Sequence, residues 1–505
     1  MKDMFDKVLI ANRGEIACRI IHACRELDIP SVVVYSEADA TALHVLEADE
    51  AICVGPPPPL ESYLAIDKII AAAKETGCCA IHPGYGFLAE NHTFAQKCKD
   101  EGLVFIGSSP ESIRVMGNKV EARQMMIKAG VPVIPGMQAS AVDVDLFSKE
   151  ADKVGYPVLL KAAAGGGGKG MRVVEKADEL AEALEGAQRE AKSAFGDDSV
   201  YLEKFIENPR HIEFQVFGDT HGNAVHLFER ECSIQRRHQK IVEETPSVAL
   251  TPEIRQKMGE AAVKVVKACD YSNAGTVEFL LDKNSNFYFL EMNTRIQVEH
   301  PITEMVVGVD LVVEQIKVAA GHELSYKQDE LTQKGHAIEC RVYAEDAANK
   351  FLPAAGTIHY MKEPSGPGVR VDGGVYSGVE VSVFYDPILS KLITWGPDRE
   401  AARKRMIRAL SEYVILGVTT QVDYLRDVLN HKEFIEGRTY TDFIPTHMPE
   451  WSPAETDESS VPIILAAGVV HGQMASRNVG TGMQSEEAMP TPWQTVGKWE
   501  IGMGS

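Results

Sequence analysis

Short apolar runs alternate with amphipathic stretches along the opening part of the chain. Val8-Leu9-Ile10 predicts a strand. The next segment carries Ile16, Ala17, Ile20, Ile21, Cys24 and Leu27 on one helical face, and Val32-Val33-Val34 predicts a second strand. The alternation continues through Ala51-Ile52-Cys53-Val54, a helix near residues 63 to 75, Ala80-Ile81-His82 and Val104-Phe105-Ile106. Such a pattern fits a parallel sheet with helices on its faces, ending near Ser109-Pro110.

From residue 111 to 335, helices rich in Lys and Glu alternate with strands joined by Gly- or Asn-containing turns, which predicts a mixed antiparallel sheet with helices. Residues 336–447 hold short strands punctuated by Gly373-Gly374 and Gly378, then an Arg- and Ala-rich helix from Asp398, so an α+β unit is expected. In 448–505 the periodicity fails. That stretch mixes Pro, Ser, Glu and Gly around one apolar run, Val461 to Val470, and suits a linker with a partner-docking tail, Trp493 and Trp499 serving as anchors.

Composition narrows the class. A chain of 505 residues exceeds a single core. With 45% hydrophobic and 25% charged residues it reads as globular, and no apolar run approaches the roughly 18 residues that cross a bilayer. Asp3 and Asp6 precede Val8, unlike a basic leader followed by a long apolar stretch, so no signal peptide is expected. A formal net charge of −22 argues against a nucleic-acid partner but leaves room for a local basic pocket. Nine cysteines without a CxxC pair read as reduced core thiols in a cytoplasmic protein.

Three segments carry candidate chemistry. Lys161-Ala162-Ala163-Ala164-Gly165-Gly166-Gly167-Gly168-Lys169-Gly170 joins two predicted strands, so it reads as a hairpin lid whose backbone N–H groups and lysines meet phosphate oxygens. In the predicted hairpin 276–281 and 287–293, a turn centred on Asn284 and Ser285 sets Glu278 opposite Glu291. Paired carboxylates with Asn293 on the same face suit Mg²⁺, and Arg295, Gln297 and Glu299 keep that parity if the chain stays extended. The cluster from Arg230 to Lys240 reads as a small-anion site in an acidic protein. Asn12-Arg13-Gly14-Glu15 has one glycine and reads as helix capping, not a dinucleotide fingerprint.

Taken in order, these segments resemble the biotin carboxylase family of the ATP-grasp superfamily. The resemblance rests on Ile10 to Ala17, Ile81-His82-Pro83-Gly84-Tyr85-Gly86-Phe87, Gly165 to Gly168, Cys232 to Lys240 and Glu291 to Pro301. It implies a Rossmann-like N-terminal domain (1–110), an ATP-grasp domain (111–335) and an α+β C-terminal domain (336–447). It further implies that Lys119, Lys161 and His211 contact phosphates or ribose, that Glu203, Lys204 and Ile206 surround adenine, and that Met171, Leu280 and the four glycines complete the nucleotide site. Glu278, Glu291 and Asn293 would hold Mg²⁺ or Mn²⁺. Gln235, His238, Lys240 and Arg295 would position bicarbonate, phosphate and biotin.

By the same resemblance, Glu299 is the general base that deprotonates bicarbonate for attack on ATP, giving carboxyphosphate, and Arg341 stabilises the biotin enolate. Ala164 and Lys169 depart from the family pattern without removing a proposed catalytic group. The chain lacks the Met-Lys-Met context of biotin attachment, so biotin is expected on a separate carrier protein. Carboxyltransferase partners, a homodimeric state and an acetyl- or propionyl-CoA acceptor are also expected. A two-subunit pyruvate carboxylase, another ATP-grasp ligase and a non-catalytic ATP-binding scaffold are the alternatives.

Overall fold

The opening βαβ unit is present as β1 (Val8–Ile10), α1 (Gly14–Glu26) and β2 (Ser31–Ser36) in a computed structural model of the chain. The structure describes residues 4–137, 143–163, 171–237, 239–454 and 468. With β3 (Glu50–Gly55), β4 (Ala80–His82) and β5 (Val104–Phe105), five parallel strands lie in the order β3-β2-β1-β4-β5. The predicted stripe on α1 is buried at Ile16, Ile20, Ile21 and Cys24, and each isoleucine contributes about 1.5–3 kcal/mol by leaving water.

The segment before α1 does not cap it. Arg13 occupies the cap position without a side-chain cap hydrogen bond. Asn12 Nδ2 instead donates to the carbonyls of Pro83 and Tyr85, and Arg13 pairs with Asp39 at 2.6 Å. Glu15 faces Lys391 at 3.0 Å. These polar groups therefore clasp distant segments, a role that local spacing does not disclose.

A small antiparallel sheet, ordered β7-β6-β8, comprises β6 (Val158–Ala162), β7 (Arg172–Val174) and β8 (Val200–Lys204). The large sheet is built from β9 (Arg210–Gly218), β10 (Ala224–Arg236), β11 (Gln239–Thr245), β12 (Asn273–Leu281), β13 (Phe287–Asn293) and β14 (His336–Tyr343). Its order is β13-β12-β9-β10-β11-β14, then the strands Ile388–Gly396 and Val369–Gly373. The expected limit between residues 335 and 336 thus falls inside a continuous sheet, where β11 pairs β14 through Val242↔Cys340 and Glu243↔Glu339.

Helix Pro252–Ala268 covers the apolar face of β9 and β12, and helices Arg399–Glu412 and Val422–Asn430 cover that of β11 and β14. At the start of the chain, Arg19 of α1 reaches Glu304 at 3.0 Å, and Arg370 reaches the same carboxylate at 2.7 Å. All nine cysteines are unpaired thiols. Among the described residues, no helix is long and apolar enough to cross a membrane. Residues Met1–Trp451 form one unit and Ser452–Ser505 another. The tail anchors Trp493 and Trp499 lie outside the described residues.

Candidate functional site

The two-residue period of β9 buries Ile212, Phe214 and Val216 against helix Pro252–Ala268 and sends His211, Glu213 and Gln215 to the other face. Register then assembles a row of acids: Glu291 on β13 faces Glu278 on β12, and Glu278 faces Glu213 on β9. The next position is Arg230, which is opposite Glu213 on β10. The expected opposition of Glu278 and Glu291 is present, although the pairs next to the turn are one residue out of the expected register. Pairing near the turn runs through Leu281↔Phe287, and an irregularity between Glu278 and Phe279 restores the register at the acids.

Three buried carboxylates converge on one ammonium. Lys240 Nζ donates to Glu213 at 2.5 Å, to Glu278 at 2.9 Å and to Glu299 at 2.7 Å. The second oxygen of Glu299 accepts from Arg341 Nη2 at 2.9 Å, and Arg341 Nε donates to Glu243 at 2.7 Å. Glu278 also meets His211 Nε2 at 3.0 Å and accepts from Asn293 Nδ2 and Gln297 Nε2, both at 2.9 Å. Beneath them Arg230, wholly buried, donates to Glu213, Gln215, Thr303, Thr276 and Gln297.

Burial alone would raise the pKa of Glu299, but Lys240, Arg341 and Arg230 outweigh it and hold the carboxyl well below its ordinary range. Glu278 is depressed in the same way, with Lys240 and His211 overcoming burial. The Lys240 ammonium is in turn held well above its usual value, since Glu213, Glu278 and Glu299 outweigh its desolvation. The site is therefore charged on both sides and balanced internally.

A cavity of about 980 Å³ opens over this face. It is lined by Lys119, Lys161, Met171, Lys204, Ile206, His211, Gln235, Lys240, Glu278, Leu280, Glu291, Asn293, Arg295, Glu299 and Arg341. Sequence reasoning named all of these. Glu203 is different: its side chain does not line the cavity, because its carboxylate is taken by Lys161 at 2.7 Å and Arg123 at 3.0 Å. His238 and Gly165, Gly166, Gly167 and Gly168 lie outside the described residues.

The chain does not remain extended past Asn293. It turns, and Glu299 becomes the residue before helix His300–Val307, yet Arg295, Gln297 and Glu299 all still reach the cavity. Arg295 also donates to Glu90 at 3.0 Å, fastening the N-terminal sheet's connections to the site. The basic cluster separates: Arg230 is enclosed, Arg236 lies over the Phe351 ring, and Gln235, Arg237 and Lys240 face the cavity. Sequence reasoning missed Glu213 and Glu243. The signal for Glu213 was continuation of the His211 parity, whereas that for Glu243 lay in pairing with a distant strand.

The donor set suits a hard divalent cation. Glu291 is 41% exposed with Lys119 at 3.8 Å, so its oxygens can turn toward an ion beside Glu278, and the Asn293 amide adds a third oxygen. Two other acid-containing groups, His211-Glu213-Glu278 and Glu213-Cys232-Glu299, are close enough to share an ion. Arg230 and Lys240 already neutralise both groups.

Residues 4–113 match the biotin carboxylase N-terminal domain family, 118–327 the ATP binding domain family of the carbamoyl-phosphate synthase L chain, and 339–446 the biotin carboxylase C-terminal domain family. A pyruvate carboxylase component of Methanothermobacter thermautotrophicus is 55% identical over 441 residues, 87% of this chain and 90% of that protein. The alpha component of rat mitochondrial methylcrotonoyl-CoA carboxylase is 50% identical over 462 residues, 91% of this chain, and the chain spans only 65% of that relative's length. A crystal structure of the biotin carboxylase domain dimer of Hydrogenobacter thermophilus 2-oxoglutarate carboxylase, with MgADP, ADP and bicarbonate, superposes with a TM-score of 0.86 at 48% identity. The match covers 90% of this chain and all of that one.

Proposed function

The chain belongs to the biotin carboxylase family of ATP-dependent C–N ligases, and from that premise we propose that it carboxylates biotin for an acyl-CoA carboxylase acting on acetyl- or propionyl-CoA. The observation that carries the catalytic assignment is Glu299, held between Lys240 and Arg341 in the cavity that also contains the Glu278 and Glu291 pair. ATP and Mg²⁺ are its cofactors, and biotin arrives on a carrier protein. Bound Mg²⁺ spreads the negative charge of the phosphoryl oxygens, with Glu278, Glu291 and Asn293 as its ligands. Lys119, Lys161 and His211 meet phosphate or ribose, and Lys204, Ile206, Met171 and Leu280 frame the base.

Glu299 takes the proton of bicarbonate, whose oxygen attacks the γ-phosphorus of ATP, breaking its bond to the β–γ bridging oxygen and releasing ADP, to give carboxyphosphate. This decomposes to CO₂ and phosphate, phosphate takes the N1 proton of biotin, and N1 then attacks CO₂. The depressed pKa of Glu299 keeps it ionised but makes it a weak base. Substrate anions that draw Lys240 or Arg341 away raise its basicity when the proton must move. Arg341 then faces the negative charge that develops on the ureido oxygen of biotin. Gln235, His238 and Arg295 position the anions. Within this reading the domains span 1–110, 111–335 and 336–447, residues 448–505 dock partner proteins, and the enzyme is a cytoplasmic homodimer joined by carboxyltransferase subunits.

Similarity to the alpha chain of mouse mitochondrial propionyl-CoA carboxylase, 49% identical over 502 residues and 98% of this chain, supports the acyl-CoA acceptor. A two-subunit pyruvate carboxylase is the second reading, favoured by the 55% identity to the Methanothermobacter protein. ATP hydrolysis that depends on bicarbonate and rises with free biotin tests the first half-reaction. No stimulation in folded protein sinks it, and a nucleotide-binding scaffold takes its place. Proteins that co-purify, assayed with each acceptor, decide between acyl-CoA and pyruvate.

A further inference from the structure

Behind Arg341 the sheet carries a second set of charges that the reaction itself does not use. Glu339 lies two residues before Arg341 on β14 and pairs directly with Glu243 on β11. On the other side, Arg341 pairs with Lys391, and Lys391 pairs with Asp372. Lys391 is engaged at 3.0 Å by Glu15 and at 3.7 Å by Asp372. Glu339 is wholly buried, and neither of its oxygens has a hydrogen-bond partner among the described residues. Glu243 gives one oxygen to Arg341, and its other oxygen, Oε2, is buried without a partner.

Two opposed carboxyl groups with three unpartnered oxygens between them would be costly if both were ionised. A single proton resolves the arrangement. We propose that Glu339 stands as a neutral carboxylic acid whose O–H donates to Oε2 of Glu243, and that this pair is the positioning element that holds Arg341 against Glu299.

Burial raises both carboxyls, Glu243 to about 7 against the pull of Arg341, and Glu243 is the ionised member because the Arg341 guanidinium is bonded to it and not to Glu339. Glu339 is the protonated one: burial and the Glu243 charge raise it well above the ordinary carboxyl range, and Lys391 and Arg341 do not reverse the shift. The groups facing Glu339 are Glu243 from β11, Arg341 from its own strand, Lys391 from the strand Ile388–Gly396 and Glu299 before helix His300–Val307. Glu15 and Asp372 act through Lys391, and His300 is kept neutral by burial and by Lys391, Arg19 and Arg370.

The positioning role rests on the function proposed for Arg341 and Glu299; the protonation state does not. Infrared spectra of the full chain near neutral pH are expected to contain a protonated carboxylic acid C=O band that Glu339→Gln removes. Identical spectra overturn the proposal. Glu339→Leu is expected to lower kcat for biotin-dependent ATP turnover roughly 10-fold to 100-fold with KM for ATP unchanged, and Glu339→Gln, whose amide can also donate to Glu243, to restore most of it. Wild-type turnover should fall at alkaline pH as Glu339 ionises, and Glu339→Gln should lack that limb. A glutamine variant no better than leucine, or an unchanged alkaline limb, overturns the positioning role. If Glu339→Leu does not fold, the infrared comparison and the glutamine pH profile still decide. Absence of biotin-dependent turnover in the wild type counts against the proposed function and leaves the infrared result standing.

Discussion

Glu278 and Glu291 stand directly opposite each other across the β12–β13 hairpin, and only one of them is committed. Glu278 is 4% exposed and meets Lys240, His211, Asn293 and Gln297, whereas the Glu291 side chain is 41% exposed with Lys119 at 3.8 Å. One residue anchors the pair and the other is free to close on an ion. Glu291→Gln is therefore expected to leave urea stability within about 0.5 kcal/mol while weakening metal binding roughly tenfold or more. Glu278→Ala leaves Lys240 and His211 short of a buried partner and should cost about 3–5 kcal/mol. Mn²⁺ titration in the presence of nucleotide, beside denaturant curves, separates the two.

Glu299→Ala should reduce biotin-dependent turnover by about 10²–10⁴-fold and leave nucleotide affinity nearly unchanged, since no proposed nucleotide contact is removed. Calorimetry with ADP beside the turnover assay measures both. Equal loss of binding and turnover would mean that Glu299 shapes the site and is not its base.

Acid should unfold the protein through specific pairs. Burial alone would raise Glu244, but His336 and Arg399 outweigh it and lower its pKa to about 2 from 4.5. Between those values the unfolded state binds the extra proton, so this contribution is complete above about 4.5 and lost as pH falls toward 2. Glu15 has the opposite sign. Burial outweighs Lys391 and raises it to about 7 from 4.5, so its contribution is complete below about 4.5 and declines as pH rises to 7. Urea midpoints across both windows should show a shallower acid slope in Glu244→Gln and a smaller loss toward neutrality in Glu15→Gln.

Gly374 lets the turn after the strand Val369–Gly373 approach the start of α1. A Cβ there would lie 2.8 Å from the Gly14 carbonyl carbon and closer still to the Glu15 nitrogen. Gly374→Ala should destabilise by about 1–3 kcal/mol and disturb the Glu15 and Lys391 pair, shown by a lower thermal midpoint and by loss of the Glu15-dependent pH slope.

Much of the site was legible because its residues follow short-range rules. Alternation placed Glu278, Glu291 and Asn293 on one face, and the hairpin estimate brought the acids together although the pairs next to the turn are one residue out of the expected register. Arg230 was legible as a cation but not as a buried one, since its partners Gln215, Thr276, Gln297 and Thr303 come from four separate segments. The same limit applies to Asn12 and Arg13, read as a helix cap and found clasping Pro83, Tyr85 and Asp39. Local pattern reports the face on which a side chain lies; what it meets across the fold depends on strand order. That order joined β11 to β14 and carried one sheet through a point where the sequence texture suggested a break.

The small sheet β7-β6-β8 shares no strand with the large sheet that bears Lys240, Glu278 and Arg341. Its links to the rest include Arg123 bonded to Glu203 and the Gly136↔Glu203 bridge, where any side chain at 136 would strike the Leu202 carbonyl. One cavity is nevertheless lined by Lys161 and Lys204 from the small sheet and by His211, Lys240, Leu280 and Arg341 from the large one, so its shape is set by how two separately hydrogen-bonded sheets are held against each other.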